Sequence, residues 1–172
     1  ISWLFPLQSG LATKGETLTQ TGIRENIYAS AMISEKVYIV AGGRGKIFRS
    51  EDQGKSWSVI PSGIRQPLYD ASFPDPENGW ISGKGGVILH TTDGGKTWEK
   101  QESGTEKYLF SIDFTDNLHG CVVGAWGKIL LTEDGGKTWQ DVSLPAVVIL
   151  YGIRSFDRQT GWIAAECGHV YG

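Results

Sequence analysis

Asp52, Asp93 and Asp134 stand 41 residues apart, each inside the same octapeptide. The copies read Ser50-Glu51-Asp52-Gln53-Gly54-Lys55-Ser56-Trp57, Thr91-Thr92-Asp93-Gly94-Gly95-Lys96-Thr97-Trp98 and Thr132-Glu133-Asp134-Gly135-Gly136-Lys137-Thr138-Trp139. Carboxylates among hydroxyls and glycines suggest a calcium loop first. Such a loop needs several oxygen ligands at alternating positions and a distal Glu, which these copies lack. Turn chemistry fits better. An Asp carboxylate accepts hydrogen bonds from N–H groups just downstream and holds a turn closed. Gly54, Gly95 and Gly136 supply φ > 0 without a Cβ clash. The hydroxyls of Ser56, Thr97 and Thr138 bond locally. Trp57, Trp98 and Trp139 then anchor the outgoing strand with a large apolar surface. These residues read as structural, and the three Trp are expected to be buried equivalently.

The pattern S/T-x-D-x-G-x-S/T-W is similar to the Asp-box of sialidase-type and related β-propellers. The longer phrase Gly79-Trp80-Ile81-Ser82-Gly83-Lys84-Gly85-Gly86-Val87-Ile88, running on into a box, resembles the repeat of the photosystem II assembly/stability factor family. That resemblance extends from about Ile27 to Gly172. It implies a non-catalytic propeller that binds a protein partner, a membrane-protein subunit during assembly. It also implies a periplasmic, lumenal or extracellular location. The alternative is a glycan-active or glycan-binding Asp-box protein.

A sialidase-like hydrolase should bring arginines and carboxylates together. The arginines Arg24, Arg44, Arg49, Arg65, Arg154 and Arg158 share no repeat register. Asp70, Asp113 and Glu166 are the candidate carboxylates. Paired glycosidase carboxylates need a defined separation, which spacing along a chain cannot provide. His90, His119 and His169 occupy unrelated repeat positions, and Cys167-Gly168-His169 is too small a motif for a zinc site. No catalytic residue, metal or cofactor is assigned. A disulfide between Cys121 and Cys167 has no support from the repeat pattern.

The bulk properties bound the rest. A chain of 172 residues is normally one domain. Net charge is −3, and the absence of a Lys/Arg run argues against nucleic acid as partner. No apolar run is long enough to span a membrane. The chain starts at Ile1 rather than Met, so it reads as a mature form or a piece of a longer chain.

The elements that must position the boxes follow from the period. Repeats run over about 27–67, 68–108, 109–149 and 150–172, the last incomplete. Each starts with a period-2 apolar strand, then a polar turn, a second strand, a glycine-bounded hairpin and a third strand. The box closes the third strand and its Trp opens the fourth. Four short strands per repeat predict an all-β fold, a β-propeller of four-stranded blades. Residues 1–10 resemble the strand after each box and are expected to close the ring, with a loop over 11–26. Two readings of the ring stand. The resemblance favours a larger, seven-bladed propeller of which this chain is part. The other is closure at four blades.

Aligning the repeats isolates positions that vary. The second-to-third strand turns carry Gly43-Arg44, Lys84-Gly85, Ala125-Trp126 and Glu166-Cys167. In a propeller these turns lie opposite the boxes. A rigid scaffold with variable loops is where binding usually resides. Arg44, Lys84 and Trp126 are therefore candidate binding residues. Tyr28, Tyr69, Phe110 and Tyr151 share another register, 24 residues before each actual or projected box Asp. They are expected either to ring the mouth of the central channel or to pack between blades.

Overall fold

The computed structural model describes residues 23–172. The expected closing strand over 1–10 and most of the expected loop over 11–26 lie outside the described residues. The chain forms consecutive antiparallel sheets whose strands follow one another in order. The first blade is β1 (Ile27–Met32), β2 (Tyr38–Gly42), β3 (Ile47–Ser50) and β4 (Ser58–Ile60). The second is β5 (Leu68–Ser72), β6 (Gly79–Gly83), β7 (Ile88–Thr91) and β8 (Glu99–Gln101). The third is β9 (Leu109–Phe114), β10 (Gly120–Gly124), β11 (Ile129–Thr132) and β12 (Gln140–Asp141). The fourth has β13 (Leu150–Ser155), β14 (Gly161–Ala165) and β15 (Val170–Tyr171). The first strands β1, β5, β9 and β13 are successive neighbours, so the sheets stack as propeller blades around them.

Burial explains the strand composition. β6 is buried along its whole length because both faces are covered by neighbouring sheets. The fourth strands touch solvent and are short, and Glu99–Gln101 is wholly polar. Cores form between sheets rather than within one. Ile39 and Ile47 of the first blade pack with Leu68, Ile81 and Leu89 of the second. Trp80 and Ile88 pack with Leu109, Ile112 and Val122 of the third. Val123 and Ile129 pack with Leu150 and Ile153 of the fourth. Trp80 is fully buried, its ring stacked 3.7 Å from Phe114 and 4.4 Å from His90. Its indole N–H donates to the carbonyl of Gly135, in the next blade's box, at 3.2 Å.

The inner strands are bridged by side chains. The Asp70 carboxylate accepts from the Ser111 hydroxyl at 2.6 Å and the Ile112 N–H at 3.1 Å. Asp113 accepts from the Ser155 N–H at 2.6 Å and pairs with Arg154 at 3.2 Å. The Phe114 N–H donates to the Ser72 hydroxyl at 3.0 Å. Acceptors aimed sideways thus satisfy N–H groups that no ladder partner reaches.

The boxes form turns between third and fourth strands. In the second copy the Asp93 carboxylate accepts from the Thr97 N–H at 2.9 Å, the Thr97 hydroxyl at 2.7 Å and the Lys96 N–H at 2.9 Å. The Thr91 hydroxyl donates to Asp93 at 2.8 Å and accepts from the Gly95 N–H at 3.0 Å. Ser50 and Thr132 hold the Gly54 and Gly136 N–H groups in the same way, both at 2.8 Å. The expected equivalence of the box tryptophans does not hold. Trp98 is buried, whereas Trp57 and Trp139 are half-buried. Trp98 packs in the cluster containing Ile39, and Trp139 against the next cluster, where the position equivalent to Ile39 is the larger Trp80. Each keeps an edge contact to a Phe ring, Trp98 to Phe73 at 5.9 Å and Trp139 to Phe114 at 6.0 Å.

Candidate binding face

At the end opposite the boxes, each first strand carries a β-bulge at the same place. Ile27 pairs with Gly42 and Ala29 with Ala41, leaving Tyr28 as the extra residue. Leu68 pairs with Gly83 and Asp70 with Ser82, leaving Tyr69. The same slip leaves Phe110 between Leu109 and Ser111, and Tyr151 between Leu150 and Gly152. A bulge releases one residue from the ladder and re-aims its side chain. Here the released residue is aromatic every time, while Leu68, Leu109 and Leu150 beside it stay in the core with no exposed surface. The bulge is tight against the turn that follows the second strand. A Cβ on Gly124 would lie 1.9 Å from the Tyr108 carbonyl oxygen, so only glycine fits.

The released rings form a continuous series. Tyr28 lies 5.9 Å from Tyr69, Tyr69 lies 5.5 Å from Phe110, and Phe110 lies 6.2 Å from Tyr151, centroid to centroid. These are tilted contacts within the range where aromatic pairs attract. The rings pack between blades and remain open to solvent together: Tyr28 and Tyr151 are exposed, Tyr69 and Phe110 half-buried. Burial raises the Tyr69 phenol pKa above its ordinary value, partly offset by Lys84.

Around this series stand the variable turns. Those at Gly43–Gly45, Ala125–Gly127 and Glu166–Gly168 are single 3-10 turns rather than simple hairpins. Their central residues Arg44, Trp126 and Cys167 have φ of 56°, 63° and 58°, in the left-handed region. Gly85 fills the equivalent position of the second blade with φ 72°. Arg44 reaches Glu25 at 3.7 Å with most of its side chain in solvent. Trp126 is 59% exposed. Glu166 receives the Ile149 N–H at 3.1 Å, and Asp70 and Asp113 serve the struts described above, so each candidate carboxylate has a structural partner. Cys121 is buried and Cys167 exposed, and both are free thiols. Burial pushes the Cys121 thiol up to about 12.

Sequence reasoning missed Lys107 and Tyr108, in the connection between the second and third blades. The Lys107 ammonium lies 3.4 Å from the Trp126 ring centroid, and the Lys84 ammonium 5.1 Å from the Tyr108 centroid. The Tyr108 hydroxyl raises the Lys84 pKa. Tyr108 also meets Tyr69 at 6.5 Å and Phe110 at 6.2 Å, joining the lysines to the aromatic series. Comparing the connections would have singled out Lys107-Tyr108, since the matching residues before Leu68 are Gln66-Pro67.

The family model described as photosynthesis system II assembly factor YCF48 matches residues 56–108 and 98–170, more than half of the chain. No curated protein matches in sequence. Among solved structures, the chain is similar to YCF48 bound to D1 peptide, with 23% identity and a TM-score of 0.68, over 82% of this chain and 47% of that one. It is similar to YCF48 from Cyanidioschyzon merolae, with 21% identity and a TM-score of 0.70, over 84% of this chain and 49% of that one. An ancestral GH74 enzyme matches with 15% identity and a TM-score of 0.70, over 86% of this chain and 22% of that one. At such identities the structural likenesses establish the fold. The chain spans about half the length of the YCF48 structures it matches.

Proposed function

We propose a function from one premise: this chain belongs to the photosynthesis system II assembly factor YCF48 family. It is a non-catalytic propeller scaffold that holds a protein partner on the face opposite the Asp-boxes. The partner is an exposed segment of a membrane-protein subunit, met during assembly in a periplasm, lumen or extracellular space. A relative whose solved structure is described as bound to D1 peptide supports a partner of this kind. Among the described residues no helix is long and apolar enough to cross a membrane.

The observation that carries the reading is the backbone of the variable turns. Arg44 and Trp126 stand in the left-handed region, where glycine is the unstrained choice and where the second blade has Gly85. A large side chain held there at a conformational cost, with its surface in solvent, suits a role in recognition. Residues of these types dominate binding hot spots. The test is an array of peptides from the exposed loops and termini of membrane proteins, probed with the wild-type chain and with Trp126→Gly. Capture that Trp126→Gly abolishes at unchanged melting temperature supports the reading. Equal capture by both proteins removes this face from consideration.

The glycan reading is favoured by one observation, the open aromatic series, since sugar rings stack on such faces. Soluble cello- and xylo-oligosaccharides in a calorimetric titration test it directly.

A further inference from the structure

We infer that the cluster between the second and third blades is a docking site for an acidic peptide segment. Lys84 and Lys107 receive its carboxylates, and the rings of Tyr69, Tyr108 and Trp126 receive a neighbouring apolar side chain. This rests on the protein-binding reading above and names the chemistry of the partner.

The cluster is built as one unit. The Gly86 N–H donates to the Lys107 carbonyl at 2.7 Å, and the Ala125 N–H donates to the Tyr108 carbonyl at 2.9 Å. Two strand turns and the connection between blades are thereby tied to the ends of stiff sheets. Their side chains are presented from fixed points, which lowers the ordering cost of binding.

The charges of the cluster are left over. Two other basic side chains at this end have carboxylate partners, Arg44 with Glu25 and Lys128 with Asp141 at 2.7 Å, while Lys46 and Arg65 stand apart from the aromatic rings. Among the described residues, Lys84 and Lys107 have none within ion-pair distance and lie over aromatic rings instead. A ring face attracts an ammonium through its quadrupole but does not cancel its charge. The positive potential is therefore still available to a ligand, from cations already held in place. A neutral glycan could use the rings and take hydrogen bonds from the lysines, but it brings no charge to complement theirs.

Charge distribution points the same way. The chain is net acidic, at −3. Its acidic residues crowd the box end, where Glu51, Asp52, Asp93, Glu133 and Asp134 lie in or beside the turns. At the opposite end basic residues outnumber acidic ones. Such a field draws an acidic segment toward the lysines and away from the boxes, and its reach shortens with salt.

The experiment uses the whole chain and short fluorescein-labelled peptides followed by polarisation. One peptide is rich in Asp and Glu around a single Phe. A second has Asn and Gln in their place, and a third has Lys. The acidic peptide is expected to bind at least about tenfold more tightly than the neutral one, with the difference shrinking as salt is raised. Lys84→Met and Lys107→Met keep the aliphatic contact with each ring and remove the charge. Each is expected to weaken the acidic peptide about fivefold or more and to leave the neutral one unchanged. Melting temperatures of both variants check that the fold persists. Lys84→Gln and Lys107→Gln replace any Met variant that unfolds. Equal affinity for acidic and neutral peptides, or lysine variants without effect, overturns this inference while the protein-binding reading stands. Binding of cello-oligosaccharide with no peptide bound overturns both. Binding of none of these ligands overturns the inference.

Discussion

The two ends of each blade meet the same backbone demand with different residues. At the box end the first left-handed position holds Gln53, Gly94 and Gly135, and the second holds Gly54, Gly95 and Gly136. The Asp carboxylates and the Ser or Thr hydroxyls are committed to closing the turn, and only the first copy carries a side chain, Gln53, at a left-handed position. At the opposite end the left-handed position holds Arg44, Gly85, Trp126 and Cys167. Three of these four bear side chains that the local turn does not need. Saturated hydrogen bonding on glycine marks a structural end. Side chains carried against the backbone preference, beside open rings and ammonium groups without carboxylate partners, are why the opposite end is the one proposed for recognition.

Substitutions should separate the ends, and the largest expected effect is in the core that supports both. Trp80→Ala removes a fully buried ring and its bond to the Gly135 carbonyl and should cost about 3–5 kcal/mol in denaturant unfolding. A loss below about 1 kcal/mol would mean that the inter-blade core can collapse around the cavity. Asp93→Ala comes next. It orphans the N–H groups of Lys96 and Thr97, and about 1–3 kcal/mol should be lost. Any fall in binding by this variant should track its stability. Binding abolished at unchanged stability would reverse the assignment of the two ends.

Acid should weaken the box turns. Burial pushes the Asp93 carboxyl upward, but the Thr97 hydroxyl and N–H, the Thr91 hydroxyl and the Lys96 N–H outweigh it and hold the pKa at about 2. The Ser56 hydroxyl and N–H hold Asp52 at about 2, and the Thr138 N–H and hydroxyl do the same for Asp134. These folded-state values lie below the ordinary 3.8. The stabilisation is thus complete above that value and drains away as pH falls toward 2. Melting temperature should drop across this window, less steeply in Asp93→Asn, and an identical profile in that variant would contradict the proton linkage. The smallest effect on stability is expected at the other end. Trp126→Gly should leave stability unchanged or raise it by up to about 1 kcal/mol, because it relieves the left-handed strain. A marked loss of stability would show that Trp126 is part of the packing and would weaken the contrast between the ends.

Much of this was legible in the sequence because it is local. Each box closes through hydrogen bonds among residues at most four positions apart, so Asp93, Thr91, Gly95 and Thr97 specify their turn wherever they occur. Repetition of that unit, with apolar alternation between copies, was enough to predict blades, the order of strands and the end at which Arg44, Lys84 and Trp126 emerge. The shared register of Tyr28, Tyr69, Phe110 and Tyr151 was visible too. That they stand at bulges was not, since a bulge is a relation between two strands and the slip appears only in their pairing. Packing partners were decided at longer range: Trp98 and Trp139 share the run Asp-Gly-Gly-Lys-Thr-Trp, yet one packs in a cluster with Ile39 and the other against a cluster with Trp80 from the preceding blade. Lys107 and Tyr108 gained their place because Trp126 and Lys84, distant along the chain, fold over them. A sequence window encodes its own hydrogen bonds, but the volume and charge that other repeats bring to it exist only once the blades have stacked.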